Sequence, residues 1–141
     1  MMPKVLVVDK EKFWRTMAQV ALESEGYRVD LLDDYSGLQN ALAKCPDVIL
    51  LGFSIIEQRE EEIIRLARRT CPEAIVLVLS TSRLISQSIE RRLLRLGVAD
   101  IVGRPGDGRD LARLVRAELK AKREEMASLS SYARFRLQGA K

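Results

Sequence analysis

The sequence of 141 residues contains no histidine. This absence excludes general acid–base catalysis by histidine, a phosphohistidine relay on this chain and imidazole ligands for a metal. Cysteine is scarce and occurs only as Cys45-Pro46 and Cys71-Pro72, without the spacing of a metal site. Because the residue before a proline avoids the helical region, we expect each cysteine to end a helix as a free thiol with a structural role.

No apolar segment approaches the roughly 18 residues that a membrane span needs. The first residues, MMPKVLVVD, are too few and too quickly acidic for a signal peptide, so we expect a cytoplasmic protein without membrane contact. Hydrophobic and charged residues make up 47% and 31% of the chain, proportions typical of a globular protein. The length suits one domain, since domains usually contain about 100–150 residues.

The net charge of +4 is unevenly distributed along the chain. Residues 1–82 contain 10 Lys/Arg and 13 Asp/Glu, whereas residues 83–141 contain 14 Lys/Arg and 7 Asp/Glu. The two parts therefore have net charges of −3 and +7. Such asymmetry indicates either a face for an acidic partner or a solvated, arginine-rich helix surface, and the sequence leaves both interpretations open.

Short apolar segments alternate with amphipathic segments five times along the chain. The predicted strands cover residues 4–8, 27–32, 47–51, 75–79 and 100–102. Wholly apolar strands separated by amphipathic helices indicate a parallel sheet that is covered on both faces. With right-handed crossovers, the pattern predicts a doubly wound, three-layer α/β domain.

Helical spacing assigns an apolar face to four of the predicted helices. These faces are Phe13, Met17, Val20 and Ala21; Ile63, Leu66, Ala67 and Thr70; Ile85, Ile89, Leu93 and Leu96; and Leu111, Leu114, Val115 and Leu119. Ser36 is predicted to cap a short second helix that ends at Lys44, and Gly26 and Gly97 are predicted to end the helices before them.

The last helix is predicted to end at about Ala127, so that residues 1–127 form the domain and residues 128–141 a flexible tail. The tail lacks helical periodicity. Tyr132, Arg134 and Arg136 alternate in it with Ala133, Phe135 and Leu137, a two-residue period that leaves open an added strand on a partner protein. A frayed terminus is the favoured interpretation.

In a doubly wound fold the functional crevice lies outside the carboxyl ends of the strands. This rule selects Asp9, Gly52, Ser80 and Arg104 as the residues at which a site is expected. A glycine in this set has no side chain and cannot act as a nucleophile.

From residue 4 to about residue 123 the chain resembles a response-regulator receiver domain of the CheY-like type. The resemblance rests on the positions of Asp9, Pro46-Asp47, Ser80, Gly97 before Ala99-Asp100, and Arg104-Pro105 in place of the family's Lys-Pro. It implies a flavodoxin-like (βα)5 fold with a five-stranded parallel sheet in the order 2-1-3-4-5. It also implies a part in two-component signal transduction or a phosphorelay.

Receivers of this family hold Mg²⁺ with two carboxylates after the first strand and one after the third, and the last of these attacks phosphorus. In this chain Asp9 matches the first carboxylate, but Lys10 and Gly52 stand at the other two positions. The hydroxyl is retained as Ser80, Arg104 replaces the lysine, and Ile101 replaces the aromatic switch residue. The pocket's formal charge changes from about −2 to +1. We therefore expect no bound metal or cofactor and no catalysis, with Asp9 paired to Lys10 or Arg104.

The leading hypothesis is a pseudo-receiver that lacks the phosphoacceptor aspartate and acts through phosphorylation-independent protein–protein contacts. Its partner is either an acidic protein or a second copy of the chain. The surface is expected on the predicted fourth helix, fifth strand and fifth helix, where arginine can make bidentate contacts. It would present Arg91, Arg92, Arg95, Arg109, Arg113 and Arg116.

Three alternatives have less support. Nucleic-acid binding through the basic half is the runner-up, although the chain has no recognisable DNA-binding module. A substitute phosphoacceptor would have to be Ser54, Asp47 or Glu57, and Asp47 is expected at the opposite end of the sheet. Flavin and cobalamin sites lack a phosphate-binding loop after the first strand and a histidine ligand, respectively.

Overall fold

The computed structural model describes residues 2–81 and 85–139. Its strands are β1 (Lys4–Val8), β2 (Arg28–Leu32), β3 (Val48–Gly52), β4 (Ile75–Ser80) and β5 (Asp100–Gly103). They form one all-parallel sheet in the order β2-β1-β3-β4-β5. The predicted fold class and strand order are confirmed. Across the part of the chain that is described, no helix is both long enough and apolar enough to cross a bilayer.

Six helices connect and cover the strands in the described ranges. They are α1 (Lys12–Ser24), α2 (Leu38–Leu42), α3 (Phe53–Ile56), α4 (Glu60–Thr70), α5 (Gln87–Arg95) and α6 (Gly108–Gly139). Helix α3 is a single turn in a segment that the sequence predicts as a loop. The predicted fourth and fifth helices therefore correspond to α5 and α6.

The core consists of two apolar layers, one on each face of the sheet. Alternate residues of β1 separate into them: Leu6 and Val8 face α2, α4 and α5, whereas Val5 and Val7 face α1 and α6. Side chains of successive strand residues point to opposite faces, so a strand buried on both sides must be apolar throughout. This requirement explains why the central strands lack the usual alternation of apolar and polar residues.

The buried face of α1 differs from the predicted one. Phe13 and Val20 are 86% and 64% exposed, and the residues that pack on the sheet are Trp14, Ala18 and Leu22. The i, i+4 spacing of these three residues turns the helix so that Phe13 points to solvent. The Trp14 indole can be buried because its Nε1 donates a hydrogen bond to the Pro105 carbonyl oxygen, 3.1 Å away.

The second helix also begins later than predicted. Ser36 does not cap it: its Oγ donates to Asp34 Oδ1 at 2.6 Å, and α2 starts at Leu38 after Gly37. Ser and Asp side chains favour such local turns, which compete with a helix N-terminus. Along α4 the predicted face is partly right, since Ile63 and Ala67 are buried, while Thr70 is exposed.

The last helix is longer than predicted. Its end at about Ala127 is wrong, because α6 continues as helix to Gly139. Leu111 and Val115 pack on the sheet, but every residue from Arg123 to Ser131 is exposed. Beyond the sheet no core face selects apolar residues, so the periodicity fades although the segment contains the helix-favouring residues Ala, Glu, Arg, Leu, Met and Gln. The boundary at 127 falls inside this helix, and the flexibility of the tail stays a prediction.

Candidate functional site

The four residues that the crevice rule selects lie together at one edge of the sheet. Gly52 is the last residue of β3, opposite Leu79 of β4, and Ser80 ends β4 opposite Gly103. Asp9 follows β1 directly, and its amide donates to the Leu32 carbonyl oxygen at 3.0 Å. The carboxyl ends of β1, β3, β4 and β5 therefore form the predicted pocket.

Asp9 is the buried acid of this pocket, with only 3% of its surface exposed. Its Oδ1 accepts the Glu11 amide at 2.9 Å, and its main-chain oxygen accepts Arg15 Nη1 at 2.7 Å. A buried charge is tolerated only when it is paired and hydrogen-bonded. These bonds hold the Asp9 side chain in one orientation.

Arg104 provides the pairing charge. Its Nη1 lies 3.4 Å from each carboxylate oxygen of Asp9, and its Nη2 lies 3.1 Å from Glu11 Oε2. The guanidinium also stacks over the Trp14 ring, 5.3 Å from its centroid. Of the two partners predicted for Asp9, Arg104 is therefore the one that binds it, while Lys10 is exposed.

Gly52 shows how the pocket accommodates the missing side chain. A Cβ atom placed on Gly52 would lie 2.7 Å from Asp9 Oδ2, 3.3 Å from its Cγ and 3.4 Å from the Val8 carbonyl oxygen. Real Cβ atoms do not approach oxygen so closely, so any side chain at position 52 requires Asp9 to move. The Asp9 carboxylate fills the space in which a side chain at position 52 would begin.

The other predicted pocket residues contact β5 and the apolar layer that contains α5. Ser80 is half-buried, and its Oγ makes a long hydrogen bond, 3.5 Å, to the Val102 carbonyl oxygen of β5. The Ser80 carbonyl oxygen accepts a hydrogen bond from the Arg104 amide at 2.7 Å and so positions the backbone of Arg104 after β5. Ile101 is half-buried and packs against the layer that contains α5.

The residues present do not fit a magnesium ion. Mg²⁺ takes oxygen ligands in octahedral geometry and is favoured by clustered negative charge. The pocket offers one buried carboxylate, which already accepts bonds from Arg104 and the Glu11 amide. In residues 2–81 and 85–139 no group of three or more His, Cys, Asp or Glu side chains could hold a metal.

The predicted substitute acceptors are not brought into the pocket. Asp47 lies at the opposite end of the sheet, where its Oδ2 accepts the Lys4 amide at 2.8 Å, as the sequence predicts. Ser54 and Glu57 are exposed on and after the short helix α3.

The six arginines of the predicted interaction surface lie on two helices, α5 and α6. Arg92 and Arg95 line a groove between α4 and α5, and Arg109 lines a groove between α1 and α6 on the other side of the sheet. Arg116 also turns toward α1, where it pairs with Glu25 at 2.6 Å. Within the predicted surface, Arg92 and Arg95 thus lie beside α4, whereas Arg109 and Arg116 lie beside α1. The surface on α5, β5 and α6 and the nucleic-acid alternative both stay predictions.

One buried acid outside the pocket was not predicted. Glu60 is only 6% exposed at the start of α4, and its Oε1 accepts Arg92 Nη2 at 2.9 Å. Its Oε2 has no hydrogen-bond partner in the part of the chain that is described. The sequence gives little signal for this pair, because Glu60 is the first of three consecutive glutamates and nothing distinguishes it from Glu61 and Glu62.

No family model matches the chain. The curated proteins to which it is similar include response regulators and transcriptional regulatory proteins. The response regulator ArlR of Staphylococcus saprophyticus is 29% identical over 120 residues, 84% of this chain and 53% of ArlR. The transcriptional regulatory protein CseB of Streptomyces coelicolor is 34% identical over 118 residues, 82% of this chain and 49% of CseB. The chain thus spans about half the length of the curated relatives it matches.

Solved structures agree with this similarity. A CheY-like receiver domain protein of Methanospirillum hungatei has a TM-score of 0.77 at 17% identity, over 89% of this chain and 99% of that one. A response regulator of Thermotoga maritima has a TM-score of 0.72 at 21% identity, over 83% and 97%. The chain has the fold of a response-regulator receiver domain. Together with the curated relatives, this fold makes the chain similar to CheY-like response-regulator receiver domains.

Proposed function

We propose that this receiver-type domain is degenerate and acts in signal transduction through protein–protein contacts, without being phosphorylated itself. The observation that carries the proposal is the position of the Asp9 carboxylate. It fills the space next to Gly52 and is paired with Arg104, so the pocket contains neither the attacking oxygen nor the acidic cluster of the family. A domain that cannot accept a phosphoryl group can still bind a partner.

The contact surface that we propose is centred on Leu94 of α5. Leu94 is 47% exposed, a high value for a leucine in a helix that packs on a sheet. Arg91 lies three residues before Leu94 and four before Arg95, so its side chain is a neighbour of both. Both arginines are exposed, and neither makes an ion pair with a described residue. An apolar centre flanked by arginines is typical of protein interfaces and favours an acidic partner.

The first test is whether the pocket is inert toward metal. Arg104 stacks on Trp14, the single tryptophan, so the fluorescence of this residue reports on the pocket. We expect no saturable change when Mg²⁺ is titrated over the millimolar range. A saturable change that disappears in Asp9→Asn would contradict the proposal.

The second test concerns the surface. Tagged protein is used to capture partners from the source cells, with Arg91→Glu/Arg95→Glu as the test variant and Arg109→Glu as the control. Arg109 is an exposed arginine on the other side of the sheet, and its reversal changes the net charge as much as each single reversal, Arg91→Glu or Arg95→Glu, which are tested beside the double variant. We expect the double variant to lose partners that the wild type and the control retain. Identical partners for all three proteins would reject this surface, and sedimentation of the purified chain distinguishes a self-partner.

A further inference from the structure

The two cysteines lie at the end of the sheet opposite the Asp9 pocket. Cys45 belongs to the connection between α2 and β3, and Cys71 is the residue at which α4 ends before β4. These two connections are adjacent, because β3 and β4 pair and the Ile75 amide donates to the Asp47 carbonyl oxygen at 2.9 Å. Residues that are 26 positions apart in sequence are thus brought to one place.

Both cysteines bind the same backbone oxygen. Cys71 Sγ donates to the Leu42 carbonyl oxygen at 3.2 Å, and the Cys45 amide donates to that oxygen at 2.9 Å. The Cys71 sulfur is therefore held close to the backbone of Cys45. A disulfide needs Cα atoms about 4.4–6.8 Å apart. Two cysteines that donate to one carbonyl oxygen are close neighbours, and this closeness favours a disulfide between them.

The two thiols differ in their access to solvent. Cys71 is buried and Cys45 is exposed. Burial raises the pKa of the Cys71 thiol, and the charge of a Cys45 thiolate and a hydrogen bond with Cys45 raise it further. An accessible thiol can meet an oxidant in solution, whereas a buried thiol can act as its resolving partner. The arrangement assigns the first role to Cys45 and the second to Cys71.

We propose that Cys45 and Cys71 form a reversible intramolecular disulfide when the protein meets hydrogen peroxide. The Cys45 thiolate attacks one peroxide oxygen, the O–O bond breaks, and hydroxide leaves, which gives a sulfenic acid on Cys45. The Cys71 sulfur then attacks the Cys45 sulfur, and the S–O bond breaks. In total two thiols lose two electrons and two protons, and one peroxide becomes two water molecules.

The bond would join the end of α2 to the end of α4 and close a loop that contains β3, α3 and α4. Cross-linking a loop of this length restricts the unfolded chain, and we expect the melting temperature to rise by about 5 °C or more. The pocket lies at the other end of the strands, so the oxidation concerns a second site on the domain. Its outcome is independent of the proposed binding function.

The experiment uses the reduced full chain treated with a small excess of peroxide and then alkylated in denaturant. Trypsin cleaves after Lys44 and Arg69, so the two cysteines fall in separate peptides, residues 45–59 and 70–83. We expect a monomer about 2 Da lighter than the reduced chain, without alkylation, whose two peptides are joined until a reductant is added. Cys45→Ser and Cys71→Ser are the controls, and a serine at position 71 keeps a donor for the Leu42 oxygen.

The proposal is overturned if Cys71 remains open to alkylation while Cys45 alone is oxidised to a sulfinic acid or to a disulfide between two chains. It is equally overturned if both thiols survive peroxide that oxidises a model thiol under the same conditions. If Cys71→Ser is too unstable to study, Cys45→Ser gives the same test, since it should keep its Cys71 thiol after treatment.

Discussion

The sheet interior and the pocket differ in how closely they follow the receiver pattern, although the pocket lies at the carboxyl ends of strands β1, β3 and β4. The strands are apolar and almost wholly buried, and they pair in the family's order. In the pocket, Lys10, Gly52 and Arg104 stand where the resemblance implies two carboxylates and a lysine. Because a fold depends mainly on its buried residues, it can persist while the residues of a site change, which is the basis of the proposed degenerate pocket.

In the pocket there is no empty space beside Gly52. The carboxylate of Asp9 fills this position, and Arg104 supplies the positive charge that it needs. A buried acid without a partner would be costly, so Arg104 stabilises Asp9 in this position. This ion pair is the structural basis of the proposal that the pocket binds no metal.

The largest effect is expected from the sheet interior. Leu50→Ala should lower the free energy of unfolding by about 2–5 kcal/mol, because Leu50 is fully buried in β3 and its loss creates a cavity. Urea denaturation measures the change. Val20→Ala is the matched control in α1: since Val20 is exposed, its change should stay within about 0.5 kcal/mol. Equal effects at the two positions would contradict the assignment of the α1 face.

A smaller effect is expected from the ion pair of the pocket. Asp9→Ala should lower the free energy of unfolding by about 1–3 kcal/mol. The Glu11 amide loses its acceptor, and the half-buried Arg104 loses one of its two carboxylate partners. Asp110→Ala is the control, as its pair with Arg113 is exposed and should contribute almost nothing. If Arg104→Ala and Asp9→Ala add without coupling in a double-mutant cycle, the two residues do not interact as described.

The smallest effect is expected at Glu118 of α6. Burial, followed by the nearby Asp100 carboxylate, raises the pKa of the Glu118 carboxyl above its ordinary value. Stability held by the protonated form is therefore lost as the pH rises through this folded-state pKa. Glu118→Gln should be more stable than the wild type at pH 7, and the difference should disappear below about pH 4.

Urea denaturation at both pH values checks this expectation. Asp100→Asn removes the neighbouring negative charge, so it should reduce the stability difference between Glu118→Gln and the wild type at pH 7. A stability difference that is the same at both pH values would indicate a packing effect at Glu118 instead of a titration.

The sequence predicts the sheet and the pocket well because both depend on position along buried strands. The runs before Asp9, Gly52 and Ser80 are apolar throughout, so the strand ends, and with them the pocket, follow from the pattern. Charge predicts that Asp9 pairs with Lys10 or Arg104, and the structure shows that its partner is Arg104.

The sequence predicts less well the features that depend on how a helix is rotated about its axis and on which side chains share an exposed surface. The face of α1 was shifted, because Phe13 and Trp14 are both apolar neighbours and the structure buries Trp14 together with Ala18 and Leu22. The end of α6 was missed, since an exposed helix has no apolar stripe. The arginines were grouped on the surface that the family resemblance implies, and the sequence does not predict that Arg116 turns toward Glu25 of α1.

The comparison between sheet and pocket is tested most directly by phosphorylation. The wild-type chain is incubated with a small phosphodonor and Mg²⁺, and its intact mass is measured beside that of a phosphorylatable receiver as positive control. We expect no adduct on this chain, because Gly52 offers no oxygen and Asp9 is paired with Arg104. A stable, Mg²⁺-dependent gain of about 80 Da, the mass of one phosphoryl group, would contradict the account.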